Sequence, residues 1–433
     1  MTAGRKNDSI GLAILGCGVV GGGVARMLLD KKEVYSSRVG KSLEVKAIAV
    51  RDLSLDRELP KELFTDDPFA AVRRKDVEIV VELMGGIHPA KELILEALKL
   101  GKRVVTANKE VISKHGAELF EAANQNESAI YLEGSVGGGI PIVMPLKRSL
   151  VANRITSILG IINGTTNYIL SRMSQKGMGF AEALAEAQDL GFAEADPSAD
   201  VDGHDAAYKI SILASLFLGQ RVGSEDVYRE GIRKISHADI RYAAELGYAI
   251  KILGIAKVAE NDFLDIRVHP TMIPLSHPLS SVSGVTNAIA VRGDAVGEVM
   301  FVGPGAGRFP TASAVVGDVI NAATSLEHLD RLMLCQHQKS VDHLPIGESS
   351  SRFYLRLLTE DAPGVLGRIG TLFGQHGVSI HYFMQKEARD GEAVLVIVTH
   401  RVKESDFRAA LSLVEQHPTI REVANVIRVE EEK

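Results

Sequence analysis

Short apolar runs recur through the first third of the chain, separated by glycines or by longer polar–apolar stretches. Residues 10–15, 44–50, 77–83, 103–106 and 129–133 are such runs. Their near-continuous apolar character is that of strands covered on both faces, as in a parallel sheet. Between them, 24–29 and 90–100 carry apolar residues at helical spacing. Strand and helix in alternation predict an α/β domain with a Rossmann-type, doubly wound parallel sheet over residues 1–141. At the other end, strand 353–358, helix 365–375, strands 378–385 and 393–399, helix 405–416 and strand 421–429 follow one another. That order predicts a small ferredoxin-like βαββαβ domain over 353–433, with both helices on one face. Pro345, Gly347 and the serines at 349–351 mark 340–352 as a linker. The middle, 142–339, is expected to be an α+β domain that mixes a sheet bearing Asn163 and Thr165 with the apolar helix after Asp205. Its last helix, 312–323 within a segment near 312–330, is expected to return to the first domain.

Composition narrows the class. A chain of 433 residues has room for two or three sizeable cores. With 45% hydrophobic and 24% charged residues it has the balance of an ordinary globular protein. A net charge of −6, no basic block and no Trp exclude a general nucleic-acid binder. Two cysteines, Cys17 and Cys335, make neither a disulfide framework nor a structural zinc site, which fits a reducing cytoplasm. Arg5 and Lys6 before the first apolar run imitate a secretory signal, but Asp8 and five glycines after Gly11 argue against one. No run approaches the roughly 20 apolar residues that a membrane helix needs.

Residues 10–15 lead straight into Gly16-Cys17-Gly18-Val19-Val20-Gly21, a G-x-G-x-x-G run that opens a helix. In that context the glycines allow a tight turn and close backbone approach to a pyrophosphate, and the helix amides supply positive charge. Strand 44–50 ends in Arg51-Asp52. At that point an acid binds the ribose 2′-hydroxyl of NAD, and an arginine receives the 2′-phosphate of NADP. Arg51 stands first, so NADP is favoured; NAD stays open, as does a solvated strand-end pair. Thr106-Ala107-Asn108-Lys109 lies at the carboxyl end of another strand, where ligands sit in such sheets. Lys109 either points towards the nicotinamide end of the cleft or is a surface lysine. The glycine-rich loop 134–141 either offers backbone carbonyls to a hard monovalent cation alongside Glu133, or is a domain hinge.

The densest chemistry lies in 187–209, AQDLGFAEADPSADVDGHDAAYK. Glu194, Asp196, Asp200, Asp202 and Asp205 crowd a loop broken by glycine and proline, just ahead of an apolar helix. Asp205 and Lys209, four apart, share one helical face. A lysine at the mouth of a buried helix is costly to desolvate unless carboxylates hold its charge. Five carboxylates converging on it would make a site for a small zwitterion with a proton donor. A helix cap followed by a solvated acidic loop is the plainer alternative. Neither cysteine is placed to act as a nucleophile, and the ligands of a zinc alcohol dehydrogenase are missing. Direct hydride exchange with a carbonyl or imine remains, with a lysine moving the proton.

These motifs resemble those of the homoserine dehydrogenase family. Ala187, Gly191, Phe192, Ala193, Asp196, Pro197, Asp200, Gly203, Asp205 and Lys209 meet every position of its signature. Asn163-Gly164-Thr165-Thr166-Asn167, Thr106-Ala107-Asn108-Lys109 and Gly303-Pro304-Gly305-Ala306-Gly307 also look like family motifs, and the resemblance covers essentially the whole chain. It implies reversible NAD(P)H-dependent reduction of L-aspartate 4-semialdehyde to L-homoserine, in threonine, methionine and isoleucine biosynthesis, by a form without an aspartokinase. By the same resemblance Lys209 would donate the proton and Lys109 would help polarise the carbonyl. Glu194 and Asp205 would hold the substrate ammonium, with Asp200 and Thr165 nearby. Gly16, Gly18, Val19, Val20, Gly21, Arg51, Gly85, Lys109, Gly191 and Gly305 would meet the cofactor. Glu133 and the carbonyls of Val136, Gly138 and Ile140 would bind a structural sodium ion. Asp361-Ala362-Pro363-Gly364 and Gly377-Val378-Ser379 look like parts of an ACT domain, a regulatory amino-acid sensor. An effector, threonine, would then sit between Asp361 or Gly364 of one module and Gly377 or Val378 of a neighbour, in a homodimer or homotetramer. Two rivals stay open: an amino-acid dehydrogenase releasing ammonia, and a catalytically silent amino-acid-sensing protein.

Overall fold

The computed structural model describes residues 9–218, 221–259, 262–328, 331–333, 343–387 and 391–430; Cys335 and residues 340–342 of the expected linker lie outside them. The chain opens with β1 (Ser9–Leu15), α1 (Val19–Asp30), α2 (Lys32–Val39), β2 (Ser42–Ala49), β3 (Phe64–Thr65), α3 (Pro68–Arg73), β4 (Ile79–Glu82), α4 (Ala90–Lys99), β5 (Arg103–Thr106), α5 (Lys109–Gln125) and β6 (Ile130–Tyr131). The middle holds β7 (Ile155–Ile161), α6 (Gly164–Lys176), α7 (Phe180–Asp189), α8 (Ser198–Val201), α9 (His204–Phe217), β8 (Tyr228–Arg229), α10 (His237–Glu245), β9 (Tyr248–Val258), β10 (Leu264–Pro274), β11 (Thr286–Gly293), β12 (Gly297–Pro304) and α11 (Arg308–Thr324). The tail adds β13 (Ser350–Glu360), α12 (Val365–Gln375), β14 (Ile380–Glu387), β15 (Glu392–Thr399), β16 (Val402–Lys403), α13 (Glu404–Glu415) and β17 (Ile420–Val429). Two compact units result. One comprises Met1–Ile158, Tyr208–Ser224 and Asn287–Ser340; the other comprises Leu159–Ala207, Glu225–Thr286 and Val341–Lys433.

In the first unit the six strands run in the order β3-β2-β1-β4-β5-β6, every neighbouring pair parallel. This is the strand order of a dinucleotide-binding sheet, with its reversal beside β1. The strands are continuous apolar runs because both faces are covered, as Leu12, Ile14, Ile79 and Val81 show by their complete burial. α11 joins the same core through Ala312, Val315, Val316, Val319 and Ala322.

In the second unit the tail has the β13-α12-β14-β15-α13-β17 order, with an antiparallel sheet β17-β13-β15-β14. Its core stacks Phe353 on Phe407 at 3.9 Å between ring centroids, beside Phe373. β13 begins at Ser350, inside the stretch expected as linker. The long hairpin of β9 and β10 pairs from Leu264↔Val258 to Pro274↔Tyr248. β17 then lies alongside β10, parallel, with Thr271 opposite Arg428 and Met272 opposite Val429. Asn163 and Thr165, expected in a sheet, instead open α6: β7 stops at Ile161 and Asn163 caps the helix.

Two buried polar hubs hold this seam. Asp239, closed off by the capping box of α10 with Ser236, accepts from Arg356 Nε at 2.7 Å, Tyr354 Oη at 3.1 Å and Asn425 Nδ2 at 2.9 Å. Arg428, 2% exposed, is forked onto Glu404 at 2.6 and 2.8 Å and reaches Glu230 at 3.1 Å. Burial alone would raise the Asp239 carboxyl, but hydrogen bonds from Arg356, Asn425 and Ser236 prevail and hold it below its ordinary value of 3.8. Its contribution is therefore complete above that value and fades as pH falls through the lower folded-state value. Asp239→Ala leaves Arg356 buried without its carboxylate and should cost about 3–5 kcal/mol. Urea titration should show this loss at pH 7, and the difference from the parent chain should shrink under acid conditions.

Candidate active site

β1 ends at Leu15, and Gly16 turns the chain at φ +95° while its N–H donates to Ala49 O at 2.9 Å. A Cβ on Gly21 would lie 2.1 Å from Gly16 O, so only glycine lets α1 start this close to the strand. Gly18 caps α1, and a Cβ there would meet nothing within 4 Å. Val19 is exposed while Val20 packs into the core. The first turn of α1 has no acidic side chain and no side-chain cap, which leaves its amides to an anion. These residues fit a pyrophosphate. At the end of β2, Asp52 Oδ1 accepts from Ser54 N at 2.8 Å and Ser54 Oγ at 2.6 Å, which holds its carboxyl below the usual range. Asp52 thus closes a turn, whereas Arg51 is exposed and forms no ion pair among the described residues. The Cys17 thiol is pushed up by burial, against the pull of Arg57, Arg26 and Arg308, and so is no ready nucleophile.

Sequence reasoning missed Glu82. This fully buried acid ends β4 and accepts from Met84 N at 2.8 Å and Thr106 Oγ1 at 2.7 Å. Burial pushes its carboxyl up, with these hydrogen bonds opposing. Asn108 Nδ2 donates to Gly86 O at 2.7 Å, and its Oδ1 caps α5 at Val111 N. The network shapes the loop that carries Gly85 and places Lys109 as the first residue of α5. The one hint was an acid closing an otherwise apolar strand.

Lys109 and Lys209 belong to facing helices. Ser113 Oγ, one turn after Lys109, meets Ser211 Oγ of α9 at 2.8 Å, with both side chains buried. Lys114 Nζ stands 5.5 Å from the centre of the Tyr208 ring. Lys209, next to Tyr208, is 8% exposed and lies one turn beyond Asp205 on the same helix.

In the second unit Asn163 organises the acids. Its Nδ2 donates to Asp200 Oδ1 at 2.6 Å and to Asp205 Oδ2 at 2.9 Å, while its Oδ1 accepts from Thr166 N at 2.9 Å. Thr165 Oγ1 donates to Phe192 O at 2.7 Å. Gln188 Nε2 holds Glu194 O at 3.0 Å, leaving the Glu194 side chain exposed on the same loop, after Gly191. The five carboxylates do not converge. Asp196 closes a turn on Ser198, and Asp202 pairs with Arg233 at 2.6 and 2.9 Å. Each has a nearer partner of its own.

Glu133 also differs from expectation. Its Oε1 accepts from Ile142 N and Val143 N, and its Oε2 from Met144 N, so the carboxylate caps the turn that follows the glycine loop. Its own N–H donates to Asp318 Oδ2 at 2.7 Å, and burial pushes both carboxyls up. Val136 and Ile140 are wholly buried, and a Cβ on Gly138 would strike Gly305 O at 2.3 Å. Gly305 in turn abuts the buried Asn287 amide, neither of whose polar atoms has a hydrogen-bond partner among the described residues. In the tail, Asp361 and Gly364 lie exposed before α12, Gln385 Nε2 donates to Asp361 Oδ1 at 3.2 Å, and Gly377 precedes the buried Val378. Among the described residues no helix is long and apolar enough to cross a membrane, and no group of three or more His, Cys, Asp or Glu could hold a metal.

Family models for homoserine dehydrogenase, for its NAD-binding domain and for the ACT domain match residues 141–320, 16–133 and 353–419. The chain is 52% identical to the homoserine dehydrogenase of a Synechocystis species, over 97% of this chain and 99% of that protein. It is 46% identical to that of Corynebacterium glutamicum, over 98% and 96%. A solved homoserine dehydrogenase from Thiobacillus denitrificans superposes with a TM-score of 0.93 at 40% identity, over 98% of each chain. A hyperthermophilic archaeal homoserine dehydrogenase mutant, solved in complex with NADPH, gives 0.63 at 30% identity, over 74% of this chain and 98% of that one. Neither an ammonia-releasing dehydrogenase nor a silent sensor is favoured by these matches. With its nucleotide-binding sheet and its ACT tail, the chain belongs to the homoserine dehydrogenase family, NAD(P)-dependent oxidoreductases that act on the CH–OH group of homoserine.

Proposed function

We propose that Lys209 carries the proton in the interconversion of L-homoserine and L-aspartate 4-semialdehyde, and that Asp205, Asp200 and Glu194 hold the substrate ammonium, with Thr165 beside them. The observation behind this assignment is the Asn163 amide joining Asp200 to Asp205, one helical turn before the buried Lys209. A bound nicotinamide supplies or accepts the hydride. Lys209 Nζ then gives its proton to the alkoxide oxygen as the aldehyde is reduced, and takes it back when homoserine is oxidised. Lys109, tied to the same helix pair through Ser113 and Ser211, polarises the carbonyl. Gly191, on the loop after α7, and Gly305 let backbone approach the cofactor. Lys209→Met should lower turnover by roughly 10²–10⁴-fold while leaving the dissociation constant of the dinucleotide unchanged. Near-normal turnover would remove Lys209 from the proton path.

NADP is the favoured cofactor in this proposal, because Asp52 is occupied by Ser54 while Arg51 stands exposed beside it. An arginine gives a 2′-phosphate charge-assisted hydrogen bonds that NAD cannot match. Arg51→Ala should weaken NADP roughly tenfold or more and NAD little, a difference of about 1.4 kcal/mol or more. Equal losses would assign the choice to Asp52.

A sodium ion at the loop 134–141 would take the carbonyls of Val136, Gly138 and Ile140, since the Glu133 oxygens already accept three amides. It would offset the charge of two adjoining buried carboxylates, Glu133 and Asp318. Threonine is the proposed effector at Asp361, Gly364, Gly377 and Val378, in a pair of tails from two copies in the cytoplasm. Support for pairing comes from β14, an edge strand whose Tyr382 and Phe383 are exposed.

A further inference from the structure

Where β10 meets the tail, a small cavity of about 60 Å³ is lined by Lys257, Asp265, Arg267, Arg352, Arg401 and Glu430, with Ser350 and Ser351. Four basic side chains face two carboxylates, a formal excess of two positive charges. The most deeply buried of them is Arg267. Arg267 is 3% exposed, and Ser349 Oγ at 2.6 Å and Ser351 Oγ at 3.2 Å accept from its Nη1. Asp265 lies 3.5 Å from its Nη2, while its Nε–H is buried with no acceptor among the described residues. A buried guanidinium with an unmade hydrogen bond costs free energy until something accepts it.

The surroundings carry the same positive field. Lys257 pairs with Glu430, whose carboxyl burial would raise but Lys257, Arg267 and Arg401 hold below its usual range. Nearby His269, fully buried, is pushed well below its ordinary value by burial and then by Arg428, Arg267 and Lys257. Water would fill the space but bring no charge. A drug-sized organic ligand is too large to be enclosed here, since such pockets run to roughly 300–1,000 Å³.

We propose that this cavity is a binding site for one tetrahedral oxyanion, phosphate or the phosphoryl end of a small phosphomonoester, held by Arg267, Arg401 and Arg352 with the serine hydroxyls of β13. The anion would join β9, β10, β13 and the turn after β15 through charge-assisted hydrogen bonds. Arg401, exposed at the rim, closes the site and lets the ion exchange with solvent.

Equilibrium dialysis of the full chain with labelled orthophosphate, at constant ionic strength set by potassium chloride, tests this directly. One phosphate per chain should bind saturably, and Arg401→Gln should weaken it roughly tenfold or more, the worth of a hydrogen bond between charged groups. Arg421→Gln, which removes an exposed cation elsewhere on the tail, should leave binding unchanged. Glycerol phosphate as competitor separates the sources: displacement means that a phosphomonoester is also accepted, and no displacement means that the free ion is the ligand. Non-saturable binding, or equal weakening by Arg401→Gln and Arg421→Gln, would overturn the site and leave only general attraction to a basic surface. Circular dichroism of Arg401→Gln guards against a folding defect, and Arg267→Lys, which keeps the charge but removes the fork, gives a second reading of the same site.

Discussion

Two carboxylates at the mouth of a buried helix repel each other unless something between them satisfies both, and here that is the Asn163 side chain. Each hydrogen of its amide meets one acid, Asp200 or Asp205, while its oxygen takes Thr166 N–H and Thr166 Oγ1–H. All of its bonding capacity is directed inward, at 4% exposure. Three pieces of chain depend on it: the start of α6, the helical turn α8 that carries Asp200, and the start of α9 with Asp205. Thr165 adds a bond to Phe192 O, and the rings of Tyr168 and Phe192 lie 4.9 Å apart, so the intervening loop has few alternatives. Half-satisfied polar groups in a low dielectric are costly, and the Asn163 amide leaves none of its own bonding capacity unused.

The tail is bound into the second unit by more than its covalent linkage. β17 sits between β10 and β13, so the last strand of the tail also extends the sheet of the β9–β10 hairpin. From β10 a contiguous series of contacts leads towards Asp200. Glu230 N donates to Val268 O, Ile232 N donates to Val201 O, and a Cβ on Gly231 would lie 2.3 Å from Val201 O. A ligand on the tail alters catalysis only if it prefers one of two arrangements, and this seam supplies a rigid element through which such a preference could act.

The nucleotide-binding half was legible because strands covered on both faces must be apolar throughout, and Gly16, Gly18 and Gly21 then announce the turn after the first. The tail was legible for a different reason: with helices on one face only, its strands tend to alternate, as β13 does, and its helices carry apolar residues at helical spacing, with α12 placed at 365–375 to the residue. β10 was not. Its sequence, LDIRVHPTMIP, carries Asp265, Arg267 and His269, which no local pattern marks as buried, yet ten of its eleven residues are. The partners that make this burial tolerable, Ser349 and Ser351, lie more than eighty positions further on. Glu82 escaped notice similarly, and Asn163 was expected in a sheet rather than at the head of α6 between two acids, since the role of a buried acid or amide is defined by what surrounds it in space. The acidic loop misled in the opposite direction: density of carboxylates in sequence is not convergence, and Asp196 and Asp202 found Ser198 and Arg233 instead.

The central claim is that Asn163 sets the substrate-binding acids without taking part in dinucleotide binding. Steady-state kinetics of Asn163→Ala, with homoserine varied at saturating NADP, test it most directly. Two hydrogen bonds to charged groups are lost, each worth about 1.5–3 kcal/mol, so KM for homoserine should rise roughly tenfold or more, while the dissociation constant of NADP stays unchanged. An unchanged KM for homoserine in a correctly folded Asn163→Ala would contradict the account.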